Sequence, residues 1–381
     1  MKKLYIIYTF IFIALAGCND KYLDNYPVPE ASTVAEFSVA LSNEGFVPAE
    51  ATFTNESVIP DVAGEHEYLW SFGDGTLSTE ESPSHTYTEP GRYEVRLVIT
   101  VDEDIAFRTK TVTVLNPTVV GRRLYFGDRN AAAVQLAIIN EDEPINTPLP
   151  GDEIARPYGL AVDTINQHLY IAGFNSGDIY RTDLEGKNRI VFRSGLAGPT
   201  GLAIDLNTNN LFWATDDGIQ KADLASEDVN QYETIITDIT DDPDGLCLDR
   251  ENERIYFVTF DGGLYRMNYD GSGNTEIITD VLGTGCLIVG DQLFFHSYDL
   301  DTENHTLKVA DLDGNVQSTI ASGMDGDVYG IAYNPEDNKI YWNDQRRGEI
   351  VRANLDGTDS EVFLQDPTAQ IYAIAIGDKI E

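Results

Sequence analysis

The chain has 381 residues, with 25 Lys and Arg against 64 Asp and Glu, for a formal net charge of −39. A surface this acidic lacks the basic footprint that nucleic acids and anionic lipid headgroups require, which excludes both as direct partners. Three cysteines and five histidines in the whole chain, with no CxxC and no Cys/His cluster, give no metal-ligand spacing, and no cofactor is expected.

The first residues, "MKKLYIIYTFIFIALAGC", place Lys2 and Lys3 ahead of an apolar run from Leu4 to Leu15 and then small residues. That is a secretory signal whose apolar stretch is too short to span a bilayer stably. Leu15-Ala16-Gly17-Cys18 resembles the lipobox of bacterial lipoproteins. The resemblance implies that residues 1–17 are removed and that Cys18 becomes a lipidated N-terminus, tethering the protein to the cell envelope at the outer membrane or the cell surface. Residues 18–34 are polar, contain Pro27 and Pro29 and show no periodicity, which suits a flexible tether.

Residues 35–117 alternate in short runs separated by turn residues: "AEFSVAL", "AEATFTNES", "HEYLWSF", "RYEVRLVIT" and "AFRTKTVTV". The spacing predicts an all-β sandwich. Trp70, the turn Phe72-Gly73-Asp74-Gly75, His85-Thr86-Tyr87 and Gly91-Arg92-Tyr93 are similar to the PKD domain, an immunoglobulin-like sandwich of extracellular proteins. Asp-Gly suits a tight turn, so Asp74 is expected to shape the turn, and Trp70 to lie between the sheets.

From residue 118 to 381 the sequence repeats. Doublets of large residues recur in "RLYFGD", "HLYIAG", "NLFWAT", "RIYFVT", "QLFFHS" and "KIYWND", five of them preceded by runs such as "YGLAVD" and "DGLCLD". Gly159, Gly201, Gly245, Gly285 and Gly330 mark a period of about 40–45 residues, that of a four-stranded propeller blade. The first copy lacks its leading run, and "QIYAIAIGDK" near the C-terminus supplies one without a repeat after it. A six-bladed β-propeller closed by the C-terminal strand is therefore expected. The repeats resemble the YWTD propellers of low-density-lipoprotein-receptor relatives, and the resemblance implies that Asp344 and Asp216 organise hydrogen bonds between blades. Cys247 and Cys286 sit in apolar runs as small buried residues, although export would permit a disulfide.

Strand direction alternates within a blade, so the loop leading into the first strand and the loop joining the second and third share one face. That face collects Arg156, Tyr158, Asp244, Tyr329 and Tyr372 from the first set, and Phe260, His296, Asp299, Arg346 and Arg347 from the second. An aromatic and charged rim around a channel suits a binding surface. Asp299–His305 has acids at spacings like a calcium loop but lacks its Gly and final Glu, so a polar hairpin is preferred. Lactonase-like hydrolases of this architecture use Glu, Asn and Asp from inner strands; the inner strands here begin with Asp244 and Asp327 alone. No nucleophile setting accompanies His168, His296 or His305. The expected function is a non-catalytic envelope lipoprotein whose propeller binds an extracellular polysaccharide or a protein, with the sandwich as spacer. The alternative is a propeller hydrolase or lyase acting on a sugar-derived substrate.

Overall fold

In this computed structural model the described residues are 33–379, other than 43–46, 61–64, 90, 103, 115–120, 140–143, 145, 238–241 and 261. Cys18 and the signal sequence lie outside the described residues. Among the described residues the elements are all β-strands, and the chain divides into two compact units, Met1–Val114 and Leu115–Glu381.

The first unit packs a three-stranded sheet (Phe37–Leu41, Ala49–Asn55, Ser84–Tyr87) against a four-stranded one (Leu77–Ser78, His66–Ser71, Gly91–Val101, Asp104–Val114). Alternation aims Ala49, Ala51 and Phe53 of one sheet, and Val95, Leu97 and Ile99 of the other, into a shared core. Trp70 is fully buried there, edge-on to Phe37 with ring centroids 5.0 Å apart, and its indole N–H donates to Glu80 O at 3.0 Å. Asp74 does shape its turn, accepting from Thr76 N at 3.0 Å, and it also pairs with His85 Nε2 at 2.6 Å. The Tyr87 hydroxyl donates to Phe72 O at 2.9 Å and ties the same turn to the opposite sheet.

The second unit is six four-stranded antiparallel sheets. Blade one combines Ile371–Lys379 from the end of the chain with Arg122–Asp128, Ala133–Ile138 and Thr147–Pro148. The register Ile371↔Asp128, Ile374↔Phe126 and Ile376↔Leu124 fixes the late strand as this blade's inner strand. Blades two to six begin with inner strands Pro157–Asp163, Leu202–Asp205, Pro243–Asp249, Cys286–Val289 and Ile331–Asn334. Each packs beside the next, and Ile371–Lys379 packs between those of blades six and two, so the ring closes.

Two repeated sequence features acquire a cause here. Neighbouring residues of a strand face opposite sides of its sheet, so each doublet serves two blade interfaces at once. Tyr125 packs in one cluster with Ile171 of the following blade, Tyr170 with Trp213, Phe212 with Phe257, Tyr256 with Phe295, Phe294 with Trp342, and Tyr341 with Phe126, which returns to blade one. The repeated glycines face the next inner strand: a Cβ would stand 2.0 Å from Thr200 O at Gly159, 2.7 Å from Asp244 O at Gly201, 2.3 Å from Thr284 O at Gly245 and 2.5 Å from Val328 O at Gly285. Side chains are excluded at these points by the neighbouring backbone.

Of the two acids expected to join blades, Asp344 does so. It is 1 % exposed, and its Oδ2 accepts from Asp325 N at 2.9 Å, in the segment arriving from blade five. Asp216 does not, because the residue in register with Asp344 is Thr215, and Asp216 lies one position further on, exposed. Asp128 occupies the equivalent place in blade one, buried, with its Oδ1 accepting from Gln370 N at 3.0 Å.

Candidate functional site

The residues before the five repeated glycines, Tyr158, Thr200, Asp244, Thr284 and Tyr329, stand at the mouth of the channel, and Tyr372, before Ala373, holds the same place in blade one. Below them the inner strands line a cavity of about 360 Å³, with Leu160, Val162, Leu246 and Ile374 among its walls.

The three tyrosines come from consecutive blades and pack on one another. The Tyr329 and Tyr372 rings stack at 4.7 Å, and Tyr158 lies 5.0 Å from each. Phe174 extends the cluster, 5.4 Å from Tyr158. The Arg156 guanidinium lies over Phe174 at 4.3 Å, with Tyr158 and Tyr372 at 5.1 and 5.4 Å, a cation–π arrangement shared by three rings. Arg129 donates to the Tyr372 hydroxyl at 3.1 Å.

Across the channel, Tyr158 of blade two donates its hydroxyl to Asp244 Oδ2 of blade four at 3.0 Å, bridging the mouth. Asp244 is 5 % exposed, and its Oδ1 has no hydrogen-bond partner among the described residues. Burial, against the stabilising bond from Tyr158 and with the Asp327 charge nearby, pushes its carboxyl up to about 8. The group is thus protonated near neutrality. The threonines serve the frame: Thr200 donates to Asp244 O and Thr284 to Val328 O, both at 3.0 Å.

Beside this plug, on the same face, lies a second cavity of about 780 Å³ lined by Phe260, Tyr298, Leu300, His305, Met324, Asp327 and Arg346 among others. Phe260 and Leu300 are 55 % and 69 % exposed at its edge. His296 is fully buried behind it, within 3.0 Å of His305, and burial pushes its imidazole down to about 3.

Arg156, Tyr158, Asp244, Tyr329 and Tyr372 are therefore brought together, and Phe260, His296 and Arg346 gather around the second cavity. Two expected rim residues are otherwise engaged. Asp299 Oδ1 accepts from Asp301 N and Thr302 N at 3.0 Å each, which makes it the turn residue of its hairpin. Arg347 folds back onto Gly323 O at 3.0 Å and Asp325 at 2.8 Å, and lies 3.5 Å from Asp344. Sequence reasoning missed Phe174, Thr200 and Thr284. The two threonines could have been found by aligning every residue that precedes a repeated glycine. Cys247 and Cys286, from adjacent inner strands, are buried free thiols with Sγ atoms 2.6 Å apart.

Residues 38–115 match the PKD domain family. The chain is 27 % identical over 200 residues to protein cueball of Drosophila grimshawi, covering 49 % of this chain and 33 % of that protein. It is 42 % identical over 55 residues to collagenase ColA of Bacillus cereus, covering 14 % of this chain and 6 % of the collagenase, a partial match to its PKD portion. The chain thus spans a third or less of the length of these relatives. Among solved structures it resembles a chain of a nidogen/laminin complex, with TM-score 0.58 and 16 % identity over 67 % of this chain and 98 % of that one. It also resembles TolB of Acinetobacter baumannii, with TM-score 0.53 and 14 % identity over 76 % of this chain and 81 % of TolB. The architecture is a PKD-type immunoglobulin-like sandwich followed by a six-bladed β-propeller.

Proposed function

We propose that the protein is a non-catalytic, lipid-anchored binding protein of the cell envelope, in which the propeller is the recognition head and the sandwich a spacer. The observation that carries this reading is the chemistry of the rim. The ring-stacked tyrosines are packed into the channel mouth instead of standing as an exposed platform, so the free surface on that face is the mixed border of Phe260, Leu300 and Arg346 around an open cavity. Exposed aromatic and aliphatic anchors beside a guanidinium suit a protein partner better than the flat ring stacking that sugars favour. The fold is compatible with that use, since one similar structure is a chain of a nidogen/laminin complex.

The test is capture by the immobilised Cys18→Ser protein, offered extracellular proteins and, separately, soluble polysaccharides from the same source. Saturable capture of a protein, weakened at least tenfold in Phe260→Ala and Arg346→Ala, is the expected result. Capture of polysaccharide alone would transfer the function to glycan binding, and turnover of an offered polysaccharide would install the hydrolase or lyase reading.

A further inference from the structure

The wall of the second cavity brings His296, expected only as a rim residue, together with His305 and Asp327. His296 comes from the second strand of blade five (Gln292–Asp299), His305 from the third (Asn304–Asp311), and Asp327 from the segment leading into blade six. One donor atom from each lies within 4.8 Å of the other two. His296 Nε2 is 3.0 Å from His305 Nδ1, which is 3.5 Å from Asp327 Oδ1. Donors bound at about 2.0–2.1 Å around a tetrahedral ion stand roughly 3.3 Å apart, so these two separations are close to those of a loaded site, while the third pair, within 4.8 Å, would have to draw in around the ion.

We propose that His296, His305 and Asp327 form a binding site for a first-row divalent transition metal of the zinc class, with its open position facing the cavity.

Three further features support the assignment. The Thr284 hydroxyl spends its only proton on Val328 O at 3.0 Å, so it can offer His296 Nδ1, 3.1 Å away, only a lone pair. His296 must then carry its proton on Nδ1 and turn a bare Nε2 toward the cluster. A hydrogen-bonded neighbour that fixes the tautomer of a ligating imidazole is a recurrent element of metal sites. The three residues also differ in access: His296 is fully buried, while the side chains of His305 and Asp327 are 10 % and 28 % exposed and both line the cavity. An ion would be held from behind and reached from the front. Finally, the donor set of two imidazoles and one carboxylate suits zinc-class ions and disfavours Ca²⁺ and Mg²⁺, which take oxygen ligands. Without metal, one proton on His305 Nδ1 can join the two imidazoles. When the ion takes that place, the proton moves by exchange with solvent to His305 Nε2, so the ring stays neutral, no net proton is released and no redox change is involved.

The test uses the full chain with Co²⁺ as probe, in excess Ca²⁺ and Mg²⁺ to saturate the many surface carboxylates. One Co²⁺ per chain is expected, with the visible absorption of a four- or five-coordinate imidazole site, displaced by Zn²⁺. His305→Gln and Asp327→Asn should each weaken binding by at least tenfold while near-ultraviolet circular dichroism stays unchanged. A second measurement needs no variant: Zn²⁺ should move the imidazole resonances of His296 and His305 and leave those of His66, His85 and His168 in place. The proposal is overturned by no stoichiometric binding, by binding that both folded variants retain, or by shifts confined to other histidines.

Discussion

Asp244 concentrates the physical chemistry of the channel mouth in one side chain. Its carboxyl titrates at about 8 in the folded protein because burial disfavours the charge, whereas in the unfolded chain it titrates near 4. Between about pH 4 and pH 8 the folded state therefore holds a proton that the unfolded state releases. The contribution of Asp244 to stability falls as pH rises across that window and is level above it, with a slope of at most ~1.4 kcal/mol per pH unit. Asp244→Asn keeps an acceptor for Tyr158 and removes the titration. It should melt higher than wild type at pH 8.5, with the advantage shrinking toward pH 5, as followed by thermal denaturation across the pH series. An advantage that does not vary with pH would show that the carboxyl is not the cause. Arg346 and Asp344 of blade six divide surface from structure. Arg346→Ala, at the cavity edge, should alter stability by no more than ~0.5 kcal/mol. Asp344→Ala removes a buried acceptor from Asp325 N and should cost ~1–3 kcal/mol. Denaturant titrations of both variants decide this, and equal losses would contradict the division of roles.

At the scale of the strand, the repeat was legible because its two markers are steric requirements. Each glycine faces the backbone of the next inner strand, and each doublet feeds two blade interfaces. Gly245→Ala would place a methyl group 2.3 Å from Thr284 O. A cost of about 1–3 kcal/mol is expected from such overpacking, read as a lowered Tm, and an unchanged Tm would mean that the strands part easily. What could not be read was register between elements. His296 and His305 approach because Tyr298 pairs with His305 across a short hairpin, and Asp327 arrives from another blade; no linear spacing encodes that meeting. Asp216 was misplaced for a related reason: an acid one residue past the strand end resembles the motif, while register puts Thr215 at the working position. The partners of Arg347, Gly323 and Asp325, lie on the segment arriving from blade five, so its engagement could not be read from linear spacing either.

For the whole molecule, the acidity has a structural side as well as a colloidal one. Many of the acids cap their own turns: Asp163 accepts from Ile165 N and Asn166 N, Asp183 from Glu185 N and Lys187 N, and Asp311 from Asp313 N and Asn315 N. Much of the negative charge thus accompanies the many hairpins that a propeller needs. The proposed tether gives a separate prediction. Cys18→Ser should move the protein from the membrane fraction to soluble or unprocessed material, as followed by fractionation and immunoblotting. A processed variant that stays with the membrane would remove lipid as the anchor.

Blade one draws its inner strand from Ile371–Lys379 and its remaining strands from Arg122–Pro148. A ribosome, or a secretion channel passing the chain N-terminus first, delivers these two parts at opposite ends of the propeller's emergence. Until the last strand arrives, Phe126 and Tyr341 have no Ile371 or Ile374 beside them, and blades one and six cannot seal. Closing a loop this long is entropically slow and gives a high contact order. Ring closure therefore waits on the propeller strand that emerges last. Before that strand arrives, Arg122–Asp128 presents an unpaired edge, and its pairing with Ile371–Lys379 removes it.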